Sequence, residues 1–270
     1  DKKEIMKDLC IEDINKIIYL ESNTSAPKIE LFESIESTSK YLKDNAIGDI
    51  GNCQVVIAKH QTNGYGRFKK RWDSEANGGL WMSIASSIKK INNSSTITLA
   101  IGAAIAETLN DNGFKEIGLK WPNDLICGMK KLGGILVESH VKDEDLTRII
   151  IGVGINFTTP SLSLDSTGYN LQPTALEVIS SESFDKSQLT ASIIISIMHA
   201  IKEYDEYGFD PFFKTYKKYD FLKGRNITVE RNHDNLSGLN DGISEDGALV
   251  IINEIGRHHI TNGSIIHIEK

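Results

Sequence analysis

Between Ile117 and Phe157 the strand-like runs IGLKW, DLICG, KLGGILVES and LTRIIIGVGINF follow one another with almost nothing between them. Alternation at period two marks them as strands, and Gly128-Met129-Lys130 supplies a turn that brings one strand back on the next. A chain with such a stretch is committed to a sheet. KIELFESI, QVVIAKH (Gln54–His60) and GLWMSIAS (Gly79–Ser86) add further strand-like runs upstream.

Helical runs lie among these strands. IEDINKIIYL sets Ile11, Ile14, Ile17 and Ile18 at helical spacing, STSKYLKDN has a capped start at Ser37, and Thr96 to Gly113 ends on a helix-stopping glycine. From Lys186 to Tyr204 the residues Leu189, Ile193, Ile197 and Ile201 form an apolar stripe that predicts burial. TTPSLSLDSTGYNLQP reads as loop. Past FDPFFKTYKKYDFL the texture changes to short strands and turns, NITVE, LNDGISEDGALVII and HHITNGSIIHIE, which predict a small SH3-like β-barrel. Without a regular βαβ repeat the class is α+β, divided into a mixed-sheet domain over 1–220 and a β domain over 221–270.

A length of 270 residues suffices for a large core, and the formal charge of −7 argues against a protein built to grip a polyanion. No apolar run approaches the ~20 residues of a membrane-spanning helix. Cys10, Cys53 and Cys127 are widely separated and suggest neither disulfides nor zinc, so the cytoplasm is the expected compartment. The histidines show no metal spacing, and no metal-ligating residues are expected. Residue 1 is Asp rather than Met, which leaves open whether a segment precedes it.

Two segments carry chemistry. In QTNGYGRFKKRW (Gln61–Trp72), Gly64 and Gly66 allow backbone amides to approach a ligand, and Arg67, Lys69, Lys70 and Arg71 add charge suited to a phosphate. Alone, such a loop is more readily a solvated basic turn than a ligand site. In KWPNDL, Pro122 fixes the backbone and presents Asn123 beside Asp124, a pair suited to a nucleotide and hydrated magnesium. Lys131, seven residues past Asp124, begins the next strand and can point back to neutralise a carboxylate and a phosphate. Trp72, Trp81 and Trp121 read first as packing residues, with Trp81 able to wall an apolar slot.

Gln61–Trp72, Lys120–Glu138 and IGVGINF (Ile151–Phe157) resemble, in order and spacing, signature regions of biotin protein ligases, and ESTSKYL (Glu36–Leu42) resembles the family's Ser-Thr-Asn segment. The resemblance implies an ATP-dependent ligase. Biotin and MgATP form biotinyl-adenylate, which a lysine of a carboxylase biotin domain then attacks. It implies that Ser37, Thr38 and Gln61 meet the ureido ring, and that Gly64, Gly66, Arg67, Lys131 and Gly134 line the carboxylate and adenylate side. Asn123, Asp124 and Asn156 would face the nucleotide, while Gly152 and Gly154 leave room for a flat ring. Lys131, Arg67 and Asp124 are the expected catalytic groups, Asp124 as a base or orienter of the acceptor lysine. A lipoate protein ligase or a non-catalytic biotin sensor are the alternatives, and a homodimer is compatible with the resemblance.

The sequence departs from the family at Tyr65, where the ligand loop commonly carries an arginine, and at Ser39 in place of asparagine. Tyr65 joins the candidate ligand-contacting residues, with a looser hold on the adenylate expected. The loop's glycines and cations suggest ordering by ligand. The few residues before Ile11 leave no room for a helix-turn-helix reading head, so the chain as given reads as a monofunctional enzyme binding neither nucleic acid nor membrane.

Overall fold

The computed structural model of the chain describes residues 8–21, 27–46, 53–89, 95–141, 146–161, 171–180, 183–231 and 234–269, so that most of the expected loop after Thr158 lies outside the described residues. The strand runs form β1 (Lys28–Phe32), β2 (Gln54–Ala58), β3 (Gly79–Lys89), β4 (Ile117–Lys120), β5 (Asp124–Cys127), β6 (Lys130–Val141), β7 (Leu146–Asn156) and the short β8 (Gln172–Pro173). They join in one mixed sheet of order β1-β2-β3-β7-β6-β5-β4, with β8 paired to β6. β1 and β2 run parallel, β8 runs parallel to β6, and the remaining pairs are antiparallel. The turn expected at Gly128 links β5 to β6, and Gly128 takes φ +56°, a backbone region that disfavours a Cβ.

The helices are α1 (Ile11–Glu21), α2 (Thr38–Asn45), α3 (Ser95–Asp111), the single turn α4 (Leu176–Ile179), α5 (Lys186–Tyr207) and α6 (Asp210–Tyr219). α6 begins on Asp210-Pro211 and ends with Lys217 and Lys218, residue types suited to those ends. α1, α3, α5 and α6 pack together at the large core. The stripe Leu189, Ile193, Ile197 and Ile201 is buried as its spacing requires. Each such side chain removed from water contributes about 1.5–3 kcal/mol.

α2 covers the opposite face, where Leu42 and Ala46 meet Val56, Ala85 and Ile150 in a smaller cluster. That division positions the site. Along β7, Ile151, Val153 and Ile155 enter the large core, so Gly152, Gly154 and Asn156 face the α2 side.

The terminal strands β9 (Asn226–Glu230), β10 (Asn235–Ile243), β11 (Leu249–Asn253), β12 (Gly256–Ile260) and β13 (Ser264–Ile268) form a second, antiparallel sheet of order β12-β11-β10-β9-β13. The class is α+β, as expected. The terminal sheet is open among the described residues: β12 and β13 stand at its edges and do not pair to close the expected barrel. Trp121 ties the two parts together, donating Nε1–H to the Gly247 carbonyl at 3.2 Å. This is the packing role its sequence context suggests.

Candidate active site

The register of the central strands builds the floor of a cavity of about 490 Å³. Gly134 of β6 lies opposite Gly154 of β7, with Asp124 of β5 on one side and Trp81 of β3 on the other. Two residues back along β7, Gly152 lies opposite Ser83 and Leu136. Residues directly opposite in a sheet share a face, so the glycines leave a bare strip flanked by functional side chains.

At the Gly152 level the site is polar and uncharged. Gln61 Oε1 accepts from the Thr38 backbone N–H at 2.9 Å and from the Thr38 hydroxyl at 3.1 Å. Having donated its proton, the Thr38 hydroxyl accepts from Ser83 at 2.7 Å, and Ser83 in turn accepts from Ser39 at 2.9 Å. Each hydroxyl has one proton to give, so the chain Ser39, Ser83, Thr38, Gln61 is polarised in one direction. Ser37 caps α2, its hydroxyl accepting from the Lys40 N–H at 3.3 Å. Ser39, where the family motif has asparagine, thus feeds the relay.

At the Gly154 level the floor is aromatic. A Cβ on Gly154 would sit 2.6 Å from the Trp72 ring, and one on Gly134 would sit 3.3 Å from it. The ring that lies against Gly134 and Gly154 is therefore the chain's own indole, so Trp72 packs on the strip and lines the cavity at once. Lys131 holds its ammonium 5.3 Å from the Trp72 ring centroid, and Trp72 Nε1 is buried with no protein partner. Trp81 buttresses this ring edge-on at 6.4 Å and donates Nε1–H to the Glu75 carbonyl at 3.1 Å. It supports the wall from behind rather than forming it.

Lys131 points back across the hairpin, as its spacing suggests, with Nζ 2.7 Å from Asp124 Oδ1. Lys120 takes the other oxygen, Oδ2, at 3.0 Å. Burial raises the Asp124 carboxyl, but the two ammonium groups outweigh it and hold the pKa far below the usual carboxylate range. Asp124 thus favours its ionised form, with each carboxylate oxygen facing an ammonium group, Oδ1 that of Lys131 and Oδ2 that of Lys120. Among the described residues no group of His, Cys, Asp and Glu is arranged to hold a metal.

Asn123 and Asn156 also line the cavity, each turning an amide N–H onto backbone, Asn123 to Ile135 at 3.0 Å and Asn156 to Thr174 at 2.9 Å. The Trp121–Pro122 bond that precedes Asn123 is cis.

The ligand loop closes the cavity from above. Tyr65 bridges to Arg71, Gly66 N–H donates to the Lys70 carbonyl at 2.8 Å, and Trp72 N–H to the Gly64 carbonyl at 2.9 Å. Tyr65, Gly66 and Arg67 line the cavity. Gly64 is not among the residues that line it. A Cβ on Gly64 would come within 2.8 Å of the Trp72 carbonyl, so its glycine serves the hairpin rather than a ligand. Arg67 also reaches the terminal sheet, donating to the Gly263 carbonyl at 3.2 Å and to Asn262 Oδ1 at 3.1 Å. Sequence reasoning gave no sign of Ser83, which is an ordinary strand serine until the fold sets it against α2.

Comparison with known proteins agrees with this geometry. Residues 31–156 match the biotin/lipoate A/B protein ligase family and residues 223–268 the biotin protein ligase C-terminal domain. The bifunctional ligase/repressor BirA of Escherichia coli is 30% identical over 221 residues, covering 80% of this chain and 67% of that one. A biotin–[acetyl-CoA-carboxylase] ligase of Mycobacterium tuberculosis is 32% identical over 116 residues, or 41% of this chain and 42% of its own. The Aquifex aeolicus biotin protein ligase solved with biotin and ATP superposes with a TM-score of 0.75 at 25% identity, over 88% of this chain and 97% of that one. Sheet, hairpin, loop and terminal domain together make this chain a member of the biotin protein ligase family.

Proposed function

We propose that the chain activates biotin with ATP to biotinyl-5′-adenylate and transfers the biotinyl group to a lysine of a carboxylase carrier domain. The observation that carries this reading is the grading of the cavity along β7, from the hydroxyl and amide relay beside Gly152, over the Trp72 floor at Gly154, to Lys131 and the asparagines beyond. Each step of two residues is roughly 7 Å. A ligand with a polar uncharged head, an apolar chain and a carboxylate fits that order, with the nucleotide at the far end.

In the first step the biotin carboxylate oxygen bonds to the α-phosphorus as the bond to pyrophosphate breaks. Two anions must meet, and Lys131 supplies positive charge at their junction, with Arg67 a second cation lining the same cavity. Asp124 is a positioning residue that holds Lys131 in register. Magnesium belongs to the substrate as the counter-ion of the triphosphate. In the second step a neutral acceptor amine attacks the acyl carbon, the bond to the AMP oxygen breaks, and the nitrogen gives up a proton to solvent as the amide forms.

The family matches over residues 31–156 and 223–268 support dividing the chain into 1–220 and 221–270. No described helix is long and apolar enough to cross a membrane, and we place the reaction in the cytoplasm. The net charge of −7 favours a protein acceptor over nucleic acid. ATP–pyrophosphate exchange with biotin, lipoate and octanoate in parallel tests the reading. Stimulation by biotin is expected, and stimulation by lipoate without biotin would overturn it.

A further inference from the structure

Tyr65 belongs to a cluster that the reaction scheme does not use. Its hydroxyl donates to Glu138 Oε2 at 3.0 Å and accepts from Lys43 Nζ at 3.1 Å. Lys43 also pairs directly with Glu138 and stands 5.4 Å from the Tyr65 ring centroid. The three side chains come from the ligand loop, α2 and β6. Lys43 and Glu138 are 28% and 23% exposed, so water screens the pair far less than on an open surface.

The chemistry explains why tyrosine suits this place. Lys43 and Glu138 already neutralise one another, and an arginine at 65 would bring a second cation to a single carboxylate. A phenol donates to the anion and accepts from the cation at once, completing the cluster without added charge. The base of the loop is stitched separately, Thr62 N–H to the Ile35 carbonyl and Asn63 N–H to the Glu36 carbonyl, both at 2.9 Å. Tyr65 fastens it further along, just before the residues that cover the cavity. Beyond it the tip is strained, with Phe68 and Lys69 both at φ +55°. Such a backbone persists only where its surroundings hold it.

We propose that Tyr65 is a positioning residue, and that the Lys43–Tyr65–Glu138 clasp holds the loop closed over the cavity by contacts internal to the chain. The clasp then helps keep what occupies the cavity from leaving it. This rests on the biotin-adenylating reading of the same cavity. A loop that must first close lowers apparent affinity by its closed fraction. Removing one hydrogen-bonding hydroxyl shifts such a balance about three- to tenfold.

The experiment compares wild type with Tyr65→Phe and Lys43→Gln. Hydrogen exchange over residues 61–72 of the ligand-free protein is read together with KM and kcat for biotin in pyrophosphate exchange, and with labelling of an unrelated protein as a measure of released adenylate. Both variants are expected to exchange loop amides about three- to tenfold faster, to raise KM by a similar factor, with kcat unchanged in Lys43→Gln, and to label the bystander more strongly. Loop exchange and KM equal to wild type in both variants would overturn the clasp. So would a fall in kcat at unchanged KM, which marks lost folded protein rather than a loosened loop. Absence of biotin-dependent exchange in wild type would instead overturn the functional reading, while the loop-exchange comparison still judges the clasp.

Discussion

Gly154→Ala tests the construction of the floor. The added methyl would lie 2.6, 2.7 and 2.9 Å from three atoms of the Trp72 indole, against an ordinary contact distance of ~3.5 Å or more. The ring must therefore retreat by nearly 1 Å. It cannot do so by moving its backbone cheaply, because the Trp72 N–H is bonded to the Gly64 carbonyl and Trp81 backs the ring edge-on. Overpacking of this kind costs about 1–3 kcal/mol, or roughly 2–10 °C in Tm for a chain of this size. The displaced indole also intrudes on the ligand path, so KM for biotin is expected to rise at least about tenfold in pyrophosphate exchange. Trp72→Leu should relieve the clash: the double variant is expected to recover at least about 1 kcal/mol relative to the sum of the single effects. If Gly154→Ala changes neither Tm nor KM, or if the two substitutions simply add, the indole does not lie on Gly154 and the reasoning fails.

Lys131→Ala should lower biotin-dependent pyrophosphate exchange by about 100-fold or more, the scale of losing one preorganised charge partner. It leaves Asp124 paired with Lys120, so the fold should persist by circular dichroism, and near-wild-type exchange would refute the site. Asp220 tests the junction between the domains. Its carboxyl is pushed up to about 6 by burial, against the favourable backbone donors at Leu222 and Lys223, and its Oδ2 is buried without a partner. The folded chain therefore keeps this proton to higher pH than the unfolded chain, whose carboxyl titrates near 3.8. The stability this group contributes is complete below that value and is lost as pH rises through about 6. Asp220→Asn is expected to raise stability above pH 6 by on the order of 1–3 kcal/mol and to change little at pH 4; equal urea midpoints at pH 8 would refute it.

Local patterning accounts for what the sequence alone determined. The period of α5, the capped start at Ser37, the turn at Gly128 and the strand runs from Ile117 to Phe157 follow from neighbours a few residues apart. The reach of Lys131 back to Asp124 was legible for the same reason, since both lie in one hairpin. Motif resemblance added the order of the site. What only the tertiary structure decided are the contacts across strands and loops. Ser83 joins Thr38 from 45 residues away, Lys43 meets Glu138 from 95 residues away, and Trp72 lies on Gly154. Asp124 shows this most clearly: beside Asn123 in sequence it reads as a ligand or base, and folding buries it between Lys120 and Lys131, whose ammonium groups favour its ionised form. Its electrostatic surroundings come from side chains that register brings together, and those surroundings set its chemistry.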